Sequence, residues 1–81
     1  MRFEDYESVM KEAEAFLQRA IEGDRNNDNY WGRLIQDARD TAQKAGKERY
    51  FFAQDICKSI VREIAKENRL SLVDGYLYGN R

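Results

Sequence analysis

Residues 22–32 read EGDRNNDNYWG. Taken as a cation loop, this stretch joins two helices around a metal ion; taken as a connector, it ends one helix and starts the next. Asp24, Asn26 and Asp28 alternate like the first three ligands of a calcium-binding helix–loop–helix. The sixth position, where that loop wants glycine, is Asn29, a residue that tolerates a left-handed turn. The twelfth, where a bidentate glutamate completes the coordination sphere, is Ile35. Without that glutamate the ion loses two oxygens and much of the charge that would hold it. The connector reading is therefore preferred, with Gly23 stopping the first helix, Asn26 and Asn27 turning the chain, and Asp28 or Asn29 capping the second helix.

The pattern on either side agrees. Upstream, over about residues 3–22, Tyr6, Val9, Met10, Ala13, Phe16, Leu17 and Ala20 fall on one stripe at 100° per residue, with Phe3 and Ile21 at its edge. Downstream, a second helix over about 29–45 carries Trp31, Leu34, Ile35, Ala38, Ala42 and Ala45 on one face. Its other face offers Arg33–Asp37 and Asp40–Lys44 as ion pairs four residues apart. A third helix over about 47–68 presents Tyr50, Ala53, Ile56, Cys57, Ile60, Val61 and Ile64. Gly46 leaves so little slack that the second and third helices must be neighbours. The remaining tail, 69–81, reads RLSLVDGYLYGNR. Asp74-Gly75 between two alternating apolar runs is a hairpin signal, because both turn positions favour φ > 0; the alternative is an irregular tail whose leucines plug the end of the bundle. The expected architecture is all-α, a single-domain antiparallel three-helix bundle with a short C-terminal appendage.

Composition narrows the function classes. The chain has 81 residues, no proline, no histidine and one cysteine, with a net charge of −1. A chain of this size supports one domain with a small core. Residues 1–28 hold eight acids and four bases, whereas residues 29–69 hold six acids and nine bases, so the charge is segregated along the chain. A lone Cys57 cannot form an intrachain disulfide, and no secretory signal or long apolar run is evident, so a cytoplasmic protein with no membrane span is expected. Without histidine there is no Cys–His or Ser–His pair, and there is no glycine-rich phosphate loop or Cys/His metal cluster. The expectation is a protein that is not an enzyme and carries no cofactor. Cys57, on the apolar stripe of the third helix, is expected to be a buried inert thiol.

What remains are surfaces. The third helix carries a basic row of Lys47, Lys58, Arg62, Lys66 and Arg69. Phe51 and Phe52 project roughly 100° and 200° away from Tyr50, so one small bundle cannot bury both. The expected partner-binding surface joins Phe51 and Phe52 with Lys58, Arg62 and Lys66, extended by Tyr76 and Tyr78 of the tail. The acidic first helix is a second candidate face, able to mimic phosphate charge toward a basic groove. The favoured function is a non-enzymatic protein-binding module: an adaptor, regulator or inhibitor of a larger protein. Two alternatives stand beside it. One is nucleic-acid binding through the basic row, in a helix-turn-helix suggested by Ala42 and Gly46 but weakened by the charged Asp55 where an apolar residue is wanted. The other is a homodimer that buries the surplus aromatics.

Overall fold

A computed structural model describes residues 1–67, and within them the chain forms three α-helices: α1 (Phe3–Glu22), α2 (Tyr30–Lys44) and α3 (Tyr50–Glu67). The Asp74-Gly75 turn, Tyr76 and Tyr78 lie outside the described residues. The three-helix architecture matches the periodicity, and consecutive helices run antiparallel. Two ion pairs mark the reversal between α1 and α2, Arg19 with Asp37 and Glu12 with Lys44. The parallel ascent of α3 beside α1 is marked at its two ends by Asp5 with Arg49 and Arg25 with Glu67.

Apolar burial holds the bundle together in two unequal clusters. The larger contains Phe16 and Ala20 of α1, Tyr30, Leu34, Ile35 and Ala38 of α2, and Cys57, Val61, Ile64 and Ala65 of α3. The smaller is Val9, Ala42 and Ala53, flanked by the half-buried Ala45, Tyr50 and Ile56. Each fully buried large side chain, such as Phe16 or Val61, contributes roughly 1.5–3 kcal/mol. The small side chains of α2, Ala38 and Ala42, let its neighbours approach closely. Accordingly α2 and α3 share the largest interface.

The connector between α1 and α2 is built by its own side chains. Asp24 Oδ1 accepts the Asn26 backbone N–H at 3.0 Å and Asn27 Oδ1 accepts that of Asn29 at 2.8 Å. The Asn27 N–H donates to the Asp24 carbonyl and the Tyr30 N–H to the Asn27 carbonyl. These are Asx turns, in which short polar side chains satisfy backbone donors. The expected cap is corrected here: Asn29 occupies the cap position and its side chain makes no cap bond, because capping needs an extended backbone at that residue and Asn29 stands at φ −91° and ψ −5°, in the helical region.

Gly23 follows α1 with φ −69° and ψ 154°, an extended conformation open to any residue, so backbone freedom is not its role. A Cβ there would lie 2.6 Å from Cε1 and 3.0 Å from Cδ1 of Tyr30. The glycine makes room for that ring. Tyr30 is buried, and its hydroxyl donates to the Ala20 carbonyl at 2.6 Å, satisfying one of the carbonyls that a helix C-terminus leaves open. At the other corner, Gly46 has φ +88°, the left-handed conformation that glycine alone adopts freely after a helix.

Four further expectations need correction. Tyr30, absent from the expected α2 stripe, is buried, while Trp31 is half-buried against it, edge to face at 4.9 Å. The i, i+4 pairs on α2 are replaced: Asp37 takes Arg19 of α1, Asp40 accepts from Gln36, and Lys44 reaches Glu12. An interhelical bidentate partner outcompetes a neighbour on the same helix. Residues 47–49 form a turn closed by the Arg49 N–H on the Gly46 carbonyl, so α3 starts at Tyr50 rather than near Lys47. Finally, α1 buries only half of its expected stripe. Val9, Ala13, Phe16 and Ala20 are inside, whereas Met10 and Leu17 are exposed together with Phe3 and Ile21.

Candidate functional site

The expected surface on α3 divides. Phe51, Lys58 and Arg62 follow one another at intervals of seven and four residues and so share one side of the helix. Phe51 is 73 % exposed, Lys58 half-buried, and Arg62 and Lys66 exposed. Phe51 meets Tyr50 edge to face at 5.4 Å, beside a shallow hollow lined by Gln43, Gly46, Lys47 and Tyr50. Phe52 lies elsewhere: it turns toward α1, where its ring meets Tyr6 in a T-shaped contact at 5.1 Å. The two phenylalanines therefore belong to different faces; Lys58 and Arg62 accompany Phe51, and Lys66 falls between the two lines.

Phe52 opens onto a larger apolar surface. Phe3, Met10, Leu17 and Ile21 are 38–76 % exposed. At 100° per residue they fall within an arc of roughly 40° along the outside of α1, next to the buried line that begins at Tyr6. Phe52, Ile56 and Ile60 repeat every four residues along the side of α3 that faces α1, and the two isoleucines are half-buried. The result is an apolar band running the length of α1 and bordered by α3. Five of the seven exposed large apolar side chains among the described residues belong to it, which makes it a patch rather than a scatter of single residues.

The charge beside this band is one-sided. Glu4, Glu7, Glu14 and Glu22 line its outer edge with Lys11 as the single base. Glu7 and Glu14 form no ion pair among the described residues; Glu4 has only a 3.7 Å contact with Arg2. The inward charges of α1 are occupied. Arg19 makes a bidentate pair with Asp37, both bonds at 2.8 Å, and also donates to the buried Thr41 hydroxyl at 3.4 Å. The hydrogen bonds to Asp37 raise the Arg19 pKa above its ordinary value, with partial burial opposing. Asp5 meets Arg49, whose guanidinium sits 5.5 Å above the Tyr6 ring.

Other candidate chemistry is weaker. Cys57 is buried. Burial pushes its thiol up to about 11, with the Asp37 carboxylate adding to the rise and Arg19 opposing it, so it is protonated and shielded at neutral pH. Among the described residues no group of three or more His, Cys, Asp or Glu side chains is placed to hold a metal ion. At the connector, Asp24 and Asn27 direct side-chain oxygens to backbone N–H groups. A cleft of about 350 Å³ between the end of α1 and α2 is walled by Arg19, Tyr30 and Asp37, whose polar groups are spent on Asp37, Ala20 and Arg19. No helix among the described residues is long and apolar enough to cross a membrane.

No protein-family model matches the chain, and neither does any curated protein or solved structure.

Sequence reasoning placed Phe51 and Phe52 at a surface but missed the band on α1, where it expected burial. A signal was present. The apolar stripe of α1 spans roughly 140° of the helix circumference, more than one helix of a three-helix bundle can turn inward.

Proposed function

We propose that this chain is a non-enzymatic protein-binding module, an adaptor, regulator or inhibitor that acts by covering part of a larger protein. The observation that carries this reading is the apolar band of Phe3, Met10, Leu17, Ile21 and Phe52 left exposed on a bundle whose core is otherwise closed. Contiguous exposed apolar side chains rimmed by charge are what protein interfaces are built on. The remoteness of the thiol from solvent and its raised pKa weigh against nucleophilic chemistry at Cys57.

Capture by affinity-tagged protein tests the reading, comparing the wild type with Leu17→Ser, Phe51→Asp and Arg62→Glu. Loss of a captured protein in the Leu17 variant places the contact on α1; loss in the Phe51 and Arg62 variants places it on α3. If all three variants capture the same proteins in the same amounts as wild type, the reading fails. Nucleic-acid binding is the second reading, favoured by the alignment of Phe51, Lys58 and Arg62 on one side of α3 and weakened by Asp55 within that line. A gel shift with random duplex at low salt decides it, since phosphate contacts are strongest there.

A further inference from the structure

The geometry points to a cationic amphipathic helix of another protein as the occupant of the α1 band. The inference rests on the protein-binding reading above and names the chemistry of the partner. Three features converge on it. First, the exposed residues on α1 recur at intervals of seven, seven and four, from Phe3 to Ile21. That is the repeat of a helix seam, and a partner helix of about 18 residues has the matching length of about 27 Å. Second, α1 is bordered on its inner side by Phe52, Ile56 and Ile60 of α3, so the apolar surface extends over two helices, and an amphipathic helix lays its apolar face on such a surface. Third, the outer rim is acidic, with Glu4, Glu7, Glu14 and Glu22 against Lys11. Lysine or arginine flanking the apolar face of the incoming helix meets carboxylates that have no other partner among the described residues at Glu7 and Glu14.

The same rim argues against the other occupants. A second copy of this chain laid antiparallel on the band would bring two acidic rims together along the seam, and like charges across an interface oppose that pairing. An anionic membrane surface attracts basic amphipathic helices and repels this one.

The test is fluorescence-anisotropy titration of the full-length chain against two labelled 18-residue helical peptides. They share one leucine seam; one has lysine at the flanking positions, the other glutamate. We expect the lysine peptide to bind roughly tenfold or more tightly than the glutamate peptide at low salt, the sum of several exposed ion pairs. We expect that preference to shrink several-fold when the ionic strength is raised from about 50 to 500 mM. Met10→Ser/Leu17→Ser removes the apolar contact and should weaken the lysine peptide by about tenfold. Glu7→Gln/Glu14→Gln leaves the fold untouched and should remove most of the lysine preference. Three outcomes overturn the proposal. Neither peptide binds. Both peptides bind equally and both are lost in Met10→Ser/Leu17→Ser, which discards the cationic partner while leaving protein binding at the band intact. Sedimentation shows a wild-type dimer that Met10→Ser/Leu17→Ser dissolves, which assigns the band to a second copy.

Discussion

Gly23→Ala separates two accounts of the α1–α2 corner by sign. Gly23 has an ordinary negative φ, so on backbone grounds alone alanine is admissible. It should then stabilise the protein by about 0.4–1 kcal/mol, because it restricts the unfolded chain. The side-chain geometry predicts the opposite. The new Cβ would sit 2.6 Å from Tyr30 Cε1, a separation that carbon atoms do not sustain. The ring cannot swing aside freely: it is buried, its hydroxyl is bonded to the Ala20 carbonyl, and Trp31 packs against it. Displacing it by about an ångström costs overpacking of order 1–3 kcal/mol and most of a hydrogen bond worth about 1 kcal/mol. Set against the entropic gain, the net loss is about 2 kcal/mol. For a domain of this size that lowers Tm by roughly 8–16 °C. Urea and thermal unfolding followed by circular dichroism measure it, with Tyr30→Leu as the second arm of a double-mutant cycle. Without the ring the added methyl meets the Arg19 carbonyl oxygen at 3.6 Å, an ordinary contact, and Gly23→Ala should then be neutral or slightly stabilising, a coupling of about 2 kcal/mol. A Gly23→Ala protein as stable as wild type, or an equal cost in both backgrounds, would refute the argument.

Tyr30→Phe keeps the ring and deletes only the donor to Ala20; it should cost about 1–2 kcal/mol in urea unfolding, since a buried carbonyl is left unpaired. Cys57 should label with a thiol reagent only as fast as the bundle unfolds, and faster labelling of folded protein would contradict its burial. Its folded-state pKa, about 11 against an ordinary 9.0, is raised, so the folded state holds the proton longer. The associated stability is complete below pH 9 and declines between pH 9 and 11, by about 2–3 kcal/mol. Cys57→Ala should lack that decline when the two alkaline unfolding profiles are compared. Met10→Ser and Leu17→Ser, despite lying on an apolar stripe, should each change unfolding free energy by no more than about 0.5–1 kcal/mol, a check on their exposure that is independent of any partner.

Helix number and placement were legible because 3.6-residue periodicity and two glycines punctuate the chain, and α1 spans the residues expected of it. What the sequence hid was interhelical. Asp37 has an arginine four residues before it in Arg33, and nothing local reveals that Arg19, on another helix, arrives with both nitrogens aligned. Tyr30 sits inside a polar connector, next to a tryptophan that looks like the better core residue; only the folded corner shows its hydroxyl reaching Ala20 and explains why Gly23 is glycine. The candidate surface was half legible. Adjacent Phe51 and Phe52 cannot both face inward on one helix, which the spacing states. Met10 and Leu17 look buried by any hydropathy rule, and their exposure follows from how many helices there are to cover α1.

The unequal division of the core has a mechanical consequence. Among the described residues, ten buried side chains grip the bundle around Phe16 and Val61, while three, Val9, Ala42 and Ala53, flanked by the half-buried Ala45, Tyr50 and Ile56, close the opposite end. That lightly held end carries Phe3, Phe51 and Phe52, so the molecule resembles a clamp hinged at its broad base with its aromatic tips on the loose jaws. Amide hydrogens in the opening turns of α1 and α3 should exchange with solvent well before those at the base. On the protein-binding reading proposed above, the jaws would remould around a visitor while the fulcrum stays in place.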